Sequence, residues 1–156
     1  MQSTRVSRLI AAPPDIVYQA FLDPEALAAW LPPGGMTGRV ERLEPRVGGR
    51  FAMTLSYPEA QQGQGKTTAG SDRFTGHIDA LEPNRKVVWA IAFDSADPGL
   101  AGEMRVVTTL EPTEGGTDVT MTAENIPPGI SPADNAEGTR LSLLQLARYL
   151  AERWQD

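Results

Sequence analysis

A chain of 156 residues is long enough for one domain with a substantial core, burying roughly 70% of its unfolded surface on folding. Twenty acidic against fourteen basic side chains leave a net charge of -6, and no Lys/Arg cluster interrupts that balance, so nucleic acid is not an expected partner. Cysteine is absent and His77 is the only histidine, which excludes disulfides, Cys/His zinc sites, cysteine nucleophiles and any Ser-His relay that does not use His77.

The first ten residues, MQSTRVSRLI, lack the apolar core of a signal peptide. The longest apolar run, VVWAIAF, falls far short of the roughly 18 residues that span a bilayer. These features lead us to expect one cytoplasmic domain over residues 1–156, without membrane insertion.

Ser3 to Ile10 alternates loosely and reads as a first strand, stopped by Ala11-Ala12-Pro13-Pro14. Proline suits a first helical position, where its missing N–H has no intrahelical partner to lose. Ile16, Val17, Ala20 and Phe21 then recur at helical spacing, predicting a short amphipathic helix. Asp23-Pro24-Glu25 supplies an N-cap, a proline and a first-turn acid for a second short helix carrying Leu27, Trp30 and Leu31. Pro32-Pro33-Gly34-Gly35 ends it.

From Met36 to Ala123 the period falls to two, with strands expected near 37–44, 49–57, 72–82, 86–94, 103–111 and 117–124. The connections are rich in Gly, Pro and Asn and short enough to join neighbouring antiparallel strands, so a meander is expected. Gly48-Gly49 reads as a turn that needs positive φ. Ser131-Pro132-Ala133-Asp134 then has the form of a capping box. The helix after it places Leu143, Leu146, Ala147, Leu150 and Trp154 on one face over about six turns.

AQQGQGKTT, from Ala60 to Thr68, approaches the phosphate-binding P-loop pattern, with Asp94 at the end of VVWAIAFD as a metal-holding acid. A P-loop works by opening a helix whose N–H groups hold the phosphates. Here a strand follows, and Ala60 replaces the first glycine. Residues 58–71 therefore read as a mobile flap between two strands at a cavity rim, with Lys66 a solvated charge.

Helices at the two ends and strands between them imply an α+β fold, not alternating units. An antiparallel sheet of six to seven strands has one apolar face to cover, and the long C-terminal helix is its cover. A sheet curling around a helix about 10 Å wide leaves a cavity unless large side chains fill one end. Phe51, Met53, Leu55 and Tyr57, then Phe74 and Ile78, Val87, Trp89, Ile91 and Phe93, Met104, Val106, Thr108 and Leu110, Val119 and Met121 share the apolar face. Such a lining suits a small, mostly apolar ligand.

The segments IAAPPDIVYQAFLDPEALAAWLPP, EPRVGGRFAM, GHIDALEPNRKVVWAIAF and VVTTLEPTEGGTDVTMTAE run across nearly the whole chain. In order and spacing they resemble the START-like, helix-grip superfamily called SRPBCC, and within it the domain family named after the activator of the heat-shock-protein-90 ATPase. The resemblance implies a curved antiparallel sheet wrapped around the C-terminal helix, two short helices after the first strand, and a ligand cavity between sheet and helix. Many members carry Gly-Trp near the start of the last helix, where this chain has Gly138-Thr139. Loss of an indole there is expected to enlarge or polarise that end of the cavity.

The leading reading is a non-catalytic protein binding a small hydrophobic or amphipathic ligand. Its expected lining is Trp30, Met53, Tyr57, Phe74, Ile78, Trp89, Ile91, Met104, Thr108, Leu143 and Leu146, with no metal, cofactor or catalytic residue. A cofactor-free enzyme of the polyketide cyclase or dehydratase kind is the alternative, and needs polar groups such as His77, Tyr57, Arg105 or Thr108 pointing inward. Alternation in RFTGHIDA places His77 on the outer side, opposite Phe74, Gly76 and Ile78. Asp72, Arg73 and Asp79 read as solvated cross-strand charges. The family name adds a third class, a stress-response module bound to a chaperone. In the family the chaperone activators carry an extra N-terminal module, and this chain is expected to be a lone domain without it. A homodimer stays open.

Overall fold

The computed structural model describes residues 2–56, 71–95 and 97–153. Its elements are β1 (Gln2–Ile10), α1 (Pro14–Ala20), α2 (Pro24–Trp30), β2 (Thr37–Leu43), β3 (Arg50–Ser56), β4 (Ser71–Glu82), β5 (Lys86–Phe93), β6 (Met104–Thr113), β7 (Gly116–Ile126) and α3 (Pro132–Arg153). The seven strands form one antiparallel curved sheet in the order β1-β7-β6-β5-β4-β3-β2. The chain leaves one edge at β1, crosses through α1 and α2, enters the opposite edge at β2 and meanders back to pair with its own start. The expected flap, Tyr57 within it and Trp154 lie outside the described residues.

Local chemistry explains the helix boundaries. Asp23 accepts from the Glu25 N–H at 3.0 Å and Ser131 Oγ accepts from the Asp134 N–H at 3.0 Å, each satisfying a donor without an intrahelical partner. The last carbonyls of α2 are met by α3. Ser142 Oγ donates to the Leu31 carbonyl at 2.6 Å, and Gln145 Nε2 donates to the Trp30 carbonyl at 2.8 Å and to that of Pro32. This clamp fixes where the long helix sits relative to the short ones.

Alternation sorts the side chains of every strand. The inner face carries Phe51, Met53, Phe74, Ile78, Val87, Trp89, Ile91, Met104, Val106, Leu110, Val119 and Met121, all buried against the helices. An aromatic series crosses that core. Trp30 meets Phe21 edge-on with centroids 4.8 Å apart, Phe21 and Phe51 each stand 5.7 Å from Trp89, and Phe51 continues to Phe74 at 6.1 Å and on to Phe93 at 6.4 Å. Irregularities between Val40 and Arg42 and between Ile78 and Ala80 interrupt the ladders, as bulges do where a sheet bends.

At Gly76 β4 passes close against β5. A Cβ built there would stand 2.1 Å from the Ala90 carbonyl oxygen, a backbone atom that cannot yield without moving the strand. Gly76→Ala is expected to destabilise the protein by about 3 kcal/mol, read from the urea midpoint; a loss below about 0.5 kcal/mol would refute the close approach.

The β2–β3 connection makes a second expectation. Glu44 accepts from the Arg50 N–H at 2.8 Å and from the Arg42 guanidinium at 2.7 Å. These partners, the backbone N–H foremost, hold its carboxyl down from 4.5 to about 2. A carboxyl that is a stronger acid when folded contributes stability that is complete above pH 4.5 and is lost as pH falls toward 2. Glu44→Gln is expected to flatten that acid limb in urea midpoints measured at stepped pH, and an unchanged limb would exclude Glu44 from it.

Candidate functional site

Between the inner face of the sheet and the first half of α3 the side chains leave a cavity of about 210 Å³. Its sheet wall is apolar and aromatic: Leu55 from β3, Phe74 from β4, Trp89, Ile91 and Phe93 from β5, Met104 and Val106 from β6, Met121 and Ala123 from β7. Leu31, Pro33 and Ile130 close the sides. The helix wall is Asp134, Asn135, Gly138, Thr139 and Ser142, short side chains on successive turns of one face. Gly138 and Thr139, the pair that departs from the family's Gly-Trp, both stand on this wall.

One charged group of the wall was misjudged from the sequence. Asp72 is 2% exposed and lines the cavity, although it reads as a solvated surface acid. The physical reason is register. Asp72 pairs with Leu55 as Phe74 pairs with Met53, so it shares the inward parity of Phe74 and Ile78. The same parity in the sequence was the signal that identifies it.

The residues expected to line the site divide by position. Phe74, Trp89, Ile91 and Met104 are on the cavity wall. Met53 lines a separate gap of about 10 Å³ with Leu27, Val40 and Phe51, a space at the limit of a single water. Trp30, Ile78, Leu143 and Leu146 are off the wall and packed as core, each fully buried. The Trp30 indole is spent on structure, with Nε1 donating to the Ala20 carbonyl at 2.9 Å. Leu143 and Leu146 belong to the part of α3 beyond the cavity, where large side chains leave no space. Thr108 faces inward between Val87 and Met121 but is also off the wall, and its hydroxyl has no hydrogen-bond partner among the described residues. Tyr57 is outside the described residues.

The polar groups named for an enzymatic alternative are arranged differently. His77 faces out of the sheet, its Nε2 3.8 Å from Asp79, and Arg105, about half exposed, reaches Glu124 at 3.1 Å on the same outer face. Arg73 and Asp94, the latter the end of the motif that resembled a metal-holding strand, form an outer ion pair at 3.0 Å, with Glu41 on the other side of Arg73. Thr54 and the Arg73 guanidinium hold the Glu41 carboxyl below its ordinary range. Among the described residues no three His, Cys, Asp or Glu side chains converge as a metal site requires, and no helix is long and apolar enough to cross a membrane.

A curved antiparallel sheet wrapped on a C-terminal helix, with a cavity between them, defines a helix-grip protein of the START-like kind, a fold that supports ligand binding in general. Residues 11–151 match the family described as Activator of Hsp90 ATPase homolog 1-like protein, and the chain belongs to that family. The crystal structure of a Chromobacterium violaceum protein is similar at 37% identity, with a TM-score of 0.83 over 94% of each chain. A Rhodobacter sphaeroides protein shares the fold at 24% identity, with a TM-score of 0.78 over 97% of this chain and 93% of that one. The AHSA1 protein from Silicibacter pomeroyi does so at 18% identity, with a TM-score of 0.80 over 98% of this chain and all of that one. No curated protein matches the chain.

The helix wall makes a direct prediction. A Cβ built on Gly138 meets only Pro33 Cγ, at 4.0 Å, so there is room for it. Gly138→Ala is expected to raise stability by about 0.5–1 kcal/mol through the helix preference of alanine. A lower urea midpoint for this variant would mean that the wall is closed at that point.

Proposed function

We propose that this protein, acting as a single domain, binds a small, mostly apolar molecule in the cavity between the sheet and α3, without catalysis. One observation carries the reading: an aromatic and aliphatic wall, open on one side, faces a helix segment whose side chains are too short to fill the space. Interiors elsewhere pack to crystal density, and an unfilled apolar space costs stability in proportion to its volume. A ligand that fills it restores those contacts.

The volume limits the ligand. An apolar cavity of about 150 Å³ takes benzene, so 210 Å³ accommodates on the order of eight to ten heavy atoms. That is smaller than the roughly 300 Å³ at which drug-sized pockets begin. We assign the contacts to Phe74, Trp89, Ile91 and Met104, joined by Leu55, Phe93 and Met121. Cyclase-like chemistry has less support, because His77 and Arg105 face away from the cavity.

Calorimetric titration with 2-phenylethanol is expected to show saturable 1:1 binding, with Kd between about 10 μM and 1 mM for a ligand of this size. Thr139→Trp, which places an indole on the cavity wall, is expected to abolish that binding while circular dichroism and cooperative unfolding persist. Absence of binding by the wild-type chain across small aromatic and aliphatic probes would overturn the reading.

A further inference from the structure

The cavity has a polar end, and among the described residues its hydrogen-bonding character is one-sided. Thr139 Oγ1 donates its proton to the Asn135 carbonyl at 3.0 Å, and Ser142 Oγ donates to the Leu31 carbonyl at 2.6 Å. A hydroxyl has one proton and two lone pairs. With both protons committed to backbone carbonyls, these hydroxyls offer the cavity lone pairs only. Asp72, buried in the wall, and Asp134, exposed at the rim, add carboxyl groups. No Lys, Arg or His is among the described lining residues. The one side-chain amide, Asn135, already accepts from Thr4 Oγ1 at 2.6 Å and turns its Nδ2 toward the Met104 sulfur at 3.9 Å.

From this arrangement we infer that the cavity selects a ligand with a hydrogen-bond-donating, cationic amine head on an apolar body, and rejects carboxylates and phosphates of the same size. The inference rests on the ligand-binding reading above and sharpens it. A carboxylate offers about four acceptor sites, so Asp72 can receive a ligand N–H alongside a protein partner. The competing influence is the positive end of α3, which attracts anions. That end is already met from within the chain. Ser131 Oγ accepts from the Asp134 N–H, the Ser131 carbonyl accepts from the Asn135 N–H at 3.0 Å, and the Asp134 side chain stands in the first turn. Among the described residues an incoming anion would therefore meet two carboxyl groups and few open donors. An ammonium group would meet acceptors at one end and the faces of Phe74, Trp89 and Phe93 nearby, surfaces that also favour cations.

The test compares 2-phenylethylamine, 2-phenylethanol and 3-phenylpropionate at pH 7, probes that share a phenyl body and differ in the head. The amine is expected to bind about 10- to 100-fold more tightly than the alcohol, the range of a hydrogen bond to a charged group, and the carboxylate more weakly than either. Asp72→Asn is expected to bring amine and alcohol within about threefold of each other. Should that variant fail to fold, Asp134→Asn at the rim is expected to lower amine affinity several-fold relative to the alcohol. Binding of the alcohol with an equal or stronger carboxylate sinks the head-group inference and leaves the cavity reading standing. Failure of all three probes sinks both.

Discussion

One α-helix about 10 Å wide cannot cover seven strands spaced about 4.8 Å apart, and this mismatch governs the molecule. The sheet answers by curving around α3, and α1 and α2 cover what α3 does not reach. Both devices are visible in particular groups. Gly76 lets β4 approach the Ala90 carbonyl where no side chain fits, and interruptions in the ladders at Val40/Arg42 and Ile78/Ala80 fall on the same half of the sheet.

Which end of the curved space is filled follows from the aromatic series and the α2–α3 clamp. Trp30 and Phe21 bring bulk from the short helices onto Trp89, and Phe51 extends it toward Phe74. Ser142 and Gln145 bind the carbonyls at the end of α2, so α3 is held at a fixed height above the strands. From that clamp onward α3 offers Leu143, Leu146 and Leu150, each buried in the core. Before it α3 offers Asn135, Gly138 and Thr139, and the interior is open. The cavity is the consequence of short side chains at one end of a single helix.

Ser142 belongs to both systems. Its proton holds the helix to Leu31, and the residue lines the cavity, so the bond that positions the wall also sets the wall's polarity. Thr139 commits its proton one turn earlier within α3 itself, to the Asn135 carbonyl. Structure and recognition are coupled at Ser142, because the bond that ties α3 to Leu31 also commits the hydroxyl proton that the cavity would otherwise meet.

Much of this was legible in the sequence. Proline and acidic caps marked the starts of α1, α2 and α3, and period-two alternation marked six strands and the inward residues of each, because local geometry alone decides which way a side chain leaves a pleated strand. The outward position of His77 followed from the same rule, and so, by parity with Phe74, did the inward position of Asp72, although a charge among charges reads as surface. What alternation cannot say is which inward residues meet space and which meet one another. Trp30, Ile78, Thr108, Leu143 and Leu146 are inward yet stand off the cavity wall, whereas Asn135, Gly138 and Thr139 line it from a helix face with little apolar character. That division depends on the height and angle of α3 over the sheet. Those are set by contacts more than a hundred residues apart in the chain, such as Ser142 to Leu31 and Thr4 to Asn135, and only the folded chain brings these partners together.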